Sequence, residues 1–242
     1  MLRCDLHVHS VHSGHAYGTL YDILREASRK ELTAIAITDH GPAMPGVTGS
    51  PLHFRLGRRA PKFINGVRLL WGCEANVVDE SGALDLAPDV QNTLDVLLAN
   101  FHEGCGYGDA GLLLNTRAMQ RAMCNPNLKI LSHPTSPAIA YDYRAVIETA
   151  LENGVLLEIN LAYLARAEHS SEIDGFQLIV EMARGAGEGV VVNSDAHFLH
   201  EVGDDSILDR VADRIGLTRD MILNDDPEAL LSRLGIDTGM QP

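Results

Sequence analysis

Short apolar runs alternate along this chain with segments whose apolar residues recur every three or four positions. A short apolar run predicts a buried strand, and the longer spacing predicts a helix that packs one face against it. Strands are predicted over residues 4–9, 34–38, 67–78, 94–101, 129–132, 155–160 and 190–193. Helices are predicted over residues 20–30, 115–124, 142–153, 172–184 and 207–215, with shorter ones beginning near Thr218 and Asp226.

This alternation predicts a parallel sheet joined by right-handed crossovers, and about seven strand and helix units are enough to close it into a barrel. Residues 42–62 are rich in turn residues and are expected to form a long loop with about one helical turn. Because α/β barrels of this length commonly fold as one unit, we expect a single domain, residues 1–242, that ends in C-terminal helices. The active site of such a barrel lies at the carboxyl ends of its strands.

The composition narrows the class of partner. The chain has 33 acidic and 19 basic residues, a formal net charge of -14, and a field of that sign repels a nucleic-acid backbone. No apolar run approaches the roughly 18 residues of a membrane span, and the N-terminus lacks the pattern of a signal peptide. We therefore expect a cytoplasmic protein with no membrane partner, and homo-oligomerisation is left open. The four scattered cysteines are expected to be reduced thiols.

Metal-ligand side chains stand at or just after the ends of six of the seven predicted strands. The first strand reads Asp5-Leu6-His7-Val8-His9, and because side chains alternate along a strand, Asp5, His7 and His9 are expected on one face. The complete set is His7, His9, His15, His40, Glu74, His102, His133, Asp195 and His197. A zinc ion takes three or four protein ligands, so nine such residues at one mouth indicate two or three metal ions. Glu74 and Asp195 are suited to bridging because a carboxylate has two oxygens.

The other histidines and the glycine-rich run are given no ligand role. His12, His53, His169 and His200 are expected at the surface or in support of the site. Residues 185–189 contain three glycines but lead from a helix to a strand, the reverse of a phosphate-binding turn, so we interpret them as a helix stop.

Six motifs at the strand ends, in this order, resemble the PHP (polymerase and histidinol phosphatase) family, and most closely the YcdX-type metal-dependent phosphatases within it. They are Asp5-Leu6-His7-Val8-His9-Ser10, Ile37-Thr38-Asp39-His40-Gly41-Pro42, residues 72–76, Phe101-His102-Glu103, Ser132-His133-Pro134 and Ser194-Asp195-Ala196-His197. The resemblance spans about residues 3–200 and includes all nine positions. It implies a distorted seven-stranded (β/α)7 barrel, a TIM-like PHP barrel, that holds three divalent metal ions, usually zinc.

The resemblance also implies how the ligands are shared. One metal would be bound by His7, His9, Glu74 and Asp195, a second by Glu74, His102 and His133, and a third by His15, His40 and His197. The implied reaction is hydrolysis of a small phosphorylated metabolite, a phosphate monoester, by a metal-activated water with no protein nucleophile. Manganese or iron are the alternatives to zinc.

Two other functions remain as alternatives: a phosphodiesterase or nuclease, and a metal-binding sensor domain without turnover. The acidic balance and the single Trp argue against nucleic acid as a partner. The basic cluster of Arg55, Arg58, Arg59 and Lys62 either binds substrate phosphate or forms a solvated helix face.

Three further residues are expected to support the ligands from behind. Asp5 is expected on the same strand face as His7 and His9, and its carboxylate is expected to accept a ring N–H from a ligand histidine. Glu158 or Asn160, on the sixth strand, which supplies no ligand of its own, is expected to do the same.

Overall fold

The computed structural model describes residues 2–47, 50–135 and 138–237, so positions 48 and 49 of the predicted loop lie outside the described residues. Within these ranges the strands are β1 (Cys4–Val8), β2 (Ala34–Ile37), β3 (Phe63–Ile64), β4 (Val67–Asn76), β5 (Val96–Asn100), β6 (Ile130–Leu131), β7 (Leu156–Asn160) and β8 (Val191–Asn193). The α-helices are α1 (Leu20–Arg29), α2 (Pro51–Leu56), α3 (Pro88–Gln91), α4 (Leu112–Met123), α5 (Tyr143–Glu152), α6 (Leu161–Ala167), α7 (Ile173–Gly185), α8 (Leu208–Ile215) and α9 (Pro227–Arg233).

Seven of the strands form one parallel sheet in the order β1-β2-β4-β5-β6-β7-β8, and the short β3 pairs antiparallel with β4. Helices follow the strands and cover the outside of the sheet, because their apolar stripes pack on its outer face. The first and last strands approach each other, so the sheet is nearly closed. The predicted distorted seven-stranded barrel is confirmed.

The seam between β1 and β8 is closed by backbone at one end and by side chains at the other. At the carboxyl end, His9 N donates to Ala196 O at 3.0 Å and Asp195 N donates to His7 O at 2.9 Å. Lower down, the Asn193 side chain accepts from Leu6 N at 2.9 Å, and the amide of Asn224 donates to Cys4 O at 3.0 Å. Two asparagine side chains thus take the place of strand pairing at this end of the seam.

The barrel interior is apolar below the site and is closed by the last helix. The interior cluster takes residues from all seven parallel strands, including Cys4, Leu6, Ala36 and Leu98. Leu230 and Leu231 of α9 belong to the same cluster, so the C-terminal helix plugs the amino-terminal end of the barrel. Polar chemistry is therefore confined to the opposite end.

A β-bulge in β1 corrects the prediction about Asp5. The pairing of β1 with β2 shifts by one residue between Asp5 and Val8, so strict alternation is broken there. Cys4 and Leu6 face the barrel interior, and Asp5 between them faces the other way. Its carboxylate accepts from Ser194 Oγ at 2.5 Å and from Gly203 N at 2.9 Å. The expectation that Asp5 holds a ligand histidine is wrong.

Three helices also differ from the sequence prediction, and one of them, the single turn α3, was not predicted at all. Helix α4 begins at Leu112, three residues before the expected Asn115, whose amide lies inside the helix and accepts from Ala110 N at 3.1 Å. Helix α6 is absent from the prediction because it follows β7 with no intervening loop: Asn160 is both the last strand residue and the cap that accepts from Tyr163 N. In the described ranges no helix combines the length and the apolarity that a bilayer crossing demands.

Candidate metal centre

The nine predicted residues meet at the carboxyl end of the barrel. His7 and His9 form the floor, where they are almost completely buried. The other seven line a cavity of about 630 Å³, namely His15, His40, Glu74, His102, His133, Asp195 and His197. That volume is within the usual range for a small-molecule site.

Glu74, near the end of β4, occupies the centre of the cluster and is fully buried. Its Oε2 atom faces three imidazoles, 3.2 Å from His7 Nε2, 3.4 Å from His9 Nε2 and 3.0 Å from His40 Nδ1. Three nitrogens, one from β1 and two from the segments just after β1 and β2, therefore surround one oxygen.

The other oxygen of Glu74 faces a second pair of imidazoles. Glu74 Oε1 lies 2.7 Å from His133 Nε2 and 3.2 Å from His102 Nε2, and these two nitrogens are 3.3 Å apart. One carboxylate thus presents each of its oxygens to a different set of histidines, as a ligand shared between two metals must.

Asp195, just after β8, completes the first predicted group. Its Oδ1 lies 3.0 Å from His9 Nε2 and 3.5 Å from His7 Nε2. Ligand atoms of His7, His9, Glu74 and Asp195 all lie within 4.8 Å of one another. These four are the residues assigned by the resemblance to one metal.

The third predicted group is brought together less tightly than the first. Ligand atoms of His9, His40 and His197 lie within 4.8 Å of one another, whereas His15 belongs to no such group among the described residues. The His15 ring instead stacks with His40 and His197, at centroid distances of 5.0 and 4.8 Å. His15 therefore lies beside the cluster, and its role as a ligand stays a prediction.

The cluster contains buried polar atoms that have no hydrogen-bond partner in the described part of the chain. They are Glu74 Oε2, Asp195 Oδ1, His40 Nδ1 and His102 Nδ1. A buried polar atom left unpaired costs about 1–3 kcal/mol, so such a concentration is unfavourable without a further partner. Carboxylate oxygens and imidazole nitrogens are donors that zinc and related divalent ions accept. The residues present therefore fit a cluster of divalent metal ions.

A ring of hydrogen bonds from the sixth parallel strand, β7, holds the ligands from behind. Glu158 Oε1 lies 2.8 Å from His7 Nδ1, which directs the other ring nitrogen of His7 toward Glu74. Glu158 Oε2 accepts from His133 N at 2.7 Å. The amide of Asn160 donates to Asp195 Oδ2 at 3.1 Å. The expectation for Glu158 is confirmed, whereas Asn160 holds a carboxylate rather than an imidazole.

A second chain of hydrogen bonds orients His9, and the sequence did not indicate it. His9 Nδ1 lies 3.0 Å from Ser13 Oγ, and that hydroxyl donates to Asp39 Oδ1 at 2.7 Å. Asp39 Oδ2 lies 3.1 Å from His53 Nε2. Burial opposes the ionised form of Asp39, but His53 and Ser13 outweigh it and lower its pKa. His53 therefore supports the site, as expected, through two intermediate residues.

Two of the candidate ligands have strained backbone. His133 has φ 28° and Asp195 has φ 55°, in the left-handed region that non-glycine residues rarely adopt. Strain of this kind costs about 1–3 kcal/mol and persists only where the surroundings impose it. Here Glu158 accepts from the backbone N–H of His133, and Asn160 donates to the Asp195 carboxylate, so both residues are held at the cluster.

The rim of the cavity carries residues that the sequence prediction missed. Arg166 of α6 lines the cavity, and its guanidinium carbon lies 4.9 Å from the centre of the Tyr163 ring. Phe198 also lines it and stacks on Tyr17 at 4.8 Å. Arg166 is the only lysine or arginine that lines the cavity in the described part of the chain.

The basic cluster near α2 lies elsewhere. Arg55 pairs with Asp89, and Lys62 pairs with Asp237 at 3.1 Å. Arg58 and Arg59 line two other cavities. Of the two roles left open for this cluster, the structure favours an exposed face and not contact with the metal centre.

When a chelator has removed any metal, the surroundings shift the pKa values of the cluster histidines in opposite directions. Burial opposes the imidazolium of His7, but the carboxylates of Glu74 and Glu158 outweigh it and raise the pKa well above 6.5. The pKa of His133 is raised in the same way. Burial lowers the pKa of His9 and, together with the charge of His9, takes the pKa of His40 to about 3.

These shifts predict a stability maximum near pH 6.5 for the chelated protein. The stabilisation from protonated His7 and His133 is complete below pH 6.5 and is lost as the pH rises through their raised pKa values. His9 and His40 have lowered pKa values, so they reduce the stability of the fold once the pH falls below 6.5. We expect Tm to fall on both sides of this pH. Metal ions compete with protons for the imidazoles, so the Tm of the metal-loaded protein should not fall above pH 6.5. Calorimetry with and without chelator tests this, and a Tm of the chelated protein that rises steadily to about pH 8 would contradict it.

Comparisons with known proteins agree with the fold and the strand-end motifs. A family model described as "PHP domain" matches residues 5–228. A probable phosphatase of Syntrophotalea carbinolica is 37% identical over 234 residues, which is 97% of this chain and 96% of that protein. A probable phosphatase of Citrobacter koseri is 36% identical over 242 residues, 100% of this chain and 97% of that protein.

A solved structure shares the fold. It is the histidinol phosphate phosphatase of Lactococcus lactis, complexed with zinc, L-histidinol and phosphate. The TM-score is 0.57 at 16% sequence identity, and the match covers 97% of this chain and 94% of that chain. At this identity the similarity concerns the architecture of the barrel.

Proposed function

The chain belongs to the PHP domain family and is a metal-dependent phosphatase, and we propose that it hydrolyses small phosphate monoesters at a centre of three divalent metal ions. The observation that carries this proposal is the position of Glu74, whose two oxygens face two different sets of histidines. A single metal ion does not need a carboxylate shared in this way.

The proposed ligand assignment is compatible with the distances between the side chains, with two points of overlap. His7, His9, Glu74 and Asp195 would hold one metal, Glu74, His102 and His133 a second, and His15, His40 and His197 a third. The first is His9, whose ring lies 4.3 Å from that of His40 and 4.4 Å from that of His197. The second is His40, whose Nδ1 lies 3.0 Å from Glu74 Oε2 and which also groups with His102. When bound, divalent ions would lower the pKa of a water toward neutrality and offset charge on the phosphoryl oxygens.

The protein's own contribution is binding and orientation. Arg166 presents five N–H donors in a planar fork that matches phosphate oxygens, and the Tyr163 ring under its guanidinium limits its freedom. Glu201 accepts from the backbone N–H groups of His197 and Phe198, at 2.8 and 2.9 Å, and thereby fixes the segment after Asp195. The substrate phosphate would lie between Arg166 and the histidine cluster.

Zinc is the metal that we propose, and the donor set is compatible with it. All nine side chains offer imidazole nitrogen or carboxylate oxygen, and the nearby thiol of Cys73 is buried with a pKa raised well above 9.0, so it stays protonated. The Lactococcus lactis phosphatase structure is complexed with zinc. Manganese and iron accept the same donors and are the alternatives.

One observation favours the phosphodiesterase alternative. Tyr17 and Phe198 stack beside the cavity with exposed fractions of 69% and 46%, which is the type of aromatic platform on which a nucleobase can stack. Against it, Glu103 and Glu201 line the same cavity and repel a polyanion. A phosphate monoester with an aromatic leaving group would stack on Tyr17 and Phe198 without bringing the charge of a polyanion to Glu103 and Glu201.

The proposal is tested by metal analysis together with a panel of substrates. We expect about three bound metal ions per chain, hydrolysis of small monoesters, and much slower hydrolysis of matched diesters and single-stranded oligonucleotides. Chelation should abolish turnover, and adding zinc, manganese or iron back should rank the metals. Fewer than two tightly bound ions would contradict the shared role of Glu74, and a preference for oligonucleotides would favour the alternative.

A further inference from the structure

A second cavity lies outside the barrel and shares no lining residue with the metal centre. Its volume is about 870 Å³, and it is formed by the turn after β1, by α1, by α2 and by Trp71 of β4. Leu20, Leu52 and Leu56 supply part of its apolar wall. Neither the family nor the proposed reaction assigns a role to it.

The aromatic wall of this cavity is tightly built. The His53 ring lies 4.1 Å from His12 and 5.2 Å from Trp71. The indole of Trp71 lies directly against the backbone of Gly57, where a Cβ atom would approach the ring to 2.1 Å. A side chain at position 57 would therefore displace the indole, so the glycine is needed for the shape of this wall.

Two of the polar groups that line the cavity are N–H donors, on Trp71 and Arg59, whereas Ser10 and His53 already contact the carboxylate of Asp39 behind the wall. Trp71 Nε1 is buried and has no hydrogen-bond partner among the described residues, and a buried N–H left unpaired is unfavourable. Arg59 contributes an exposed guanidinium, and among the residues that the structure describes no aspartate or glutamate lines the cavity. In a chain with 33 acidic residues, such a lining differs in charge from most of the surface. Its chemistry complements an anion.

We propose that this outer cavity is a binding site for a small organic anion with an apolar body, such as a cyclic or branched carboxylate. The carboxylate would pair with Arg59, and the apolar body would lie against Trp71, Leu52 and Leu56. His53, which forms part of the wall, is also the end of the hydrogen-bond chain through Asp39 and Ser13 to His9. A ligand here would therefore contact a residue connected to the metal centre without entering it.

Trp71 makes the test independent of catalysis. It is the only tryptophan in the chain, so indole fluorescence reports on this wall of the protein. We would titrate the metal-loaded protein with cyclohexanecarboxylate and, as a probe of the same shape and opposite charge, with cyclohexylmethylammonium. A saturable change with the carboxylate and none with the ammonium ion is expected.

Three arginine variants locate the bound probe. Arg59→Leu should raise the Kd of cyclohexanecarboxylate at least about tenfold, because a charge-assisted hydrogen bond is lost. Arg58→Leu is the matched control, since Arg58 is its neighbour but lines a different cavity. Arg166→Leu reports binding at the metal centre instead. The proposal is overturned by the absence of a saturable change, by an equal response to the ammonium ion, or by an effect of Arg58→Leu or Arg166→Leu as large as that of Arg59→Leu.

Discussion

Glu74→Gln is expected to lower kcat by about a thousandfold or more and to reduce the number of tightly bound metal ions. The substitution keeps the shape of the side chain but replaces one oxygen by an NH₂ group, which has no lone pair to offer a metal. Whichever way the amide is turned, one set of histidines loses its shared carboxylate oxygen. The loss of a negative charge also weakens the attraction of the whole cluster for cations.

The control is the same substitution at an exposed position, Glu181→Gln on α7, which should retain wild-type metal content and activity. Metal content is measured on the purified protein before assay, and circular dichroism checks that the variant is folded. A Glu74→Gln variant with wild-type metal content and undiminished kcat would contradict the shared role of Glu74 and with it the cluster of three metals.

The position of the site was predictable because a parallel barrel converts sequence order into spatial position. Six of the seven short apolar runs lead to a ligand residue, as in the step from Phe101 to His102 or from Ser132 to His133. Parallel strands bring all their carboxyl ends to one edge, so residues distant in sequence meet there. The apolar runs also predicted the parallel strands, because fully buried strands need no alternation of polar residues.

What the sequence could not predict depends on breaks in local regularity. The bulge between Asp5 and Val8 reverses the face of Asp5, and nothing in a run of alternating residues marks the extra position. Helix α6 begins at Leu161, immediately after β7, and Asn160 is both the last strand residue and the helix cap, so no separate turn marks the change from strand to helix. Arg166 was missed for that reason.

The supporting hydrogen bonds were predictable in kind but not in detail. A strand without a ligand of its own, such as β7, was expected to hold the ligands of its neighbours, and Glu158 does so. The hydrogen bonds that lead from His9 through Ser13 and Asp39 to His53 join residues up to 44 positions apart. His53 lies on α2, and no local sequence pattern determines where that helix packs on the barrel. Such contacts follow from tertiary packing alone.

Arg166→Leu is expected to lower kcat/KM for a small phosphate monoester by about a hundredfold, mostly through a higher KM. Among the described residues it is the only arginine or lysine lining the cavity, and a bidentate contact with phosphate contributes in both the ground state and the transition state. Inorganic phosphate should inhibit the variant correspondingly less. Metal content should not change, because no atom of Arg166 belongs to the histidine and carboxylate groups.

Two further variants separate phosphate recognition from a general effect of charge. Arg166→Lys keeps the positive charge but loses the planar fork, so we expect it to recover only part of the loss. Arg58→Leu removes the same charge from a position outside the metal cavity and should leave kcat/KM unchanged. If Arg166→Leu keeps a wild-type KM and wild-type inhibition by phosphate, Arg166 does not bind the substrate, and the phosphate must be held by the metal cluster alone. A loss of equal size in Arg58→Leu would instead mean that long-range attraction, and not a contact at the rim, governs substrate capture by this acidic protein.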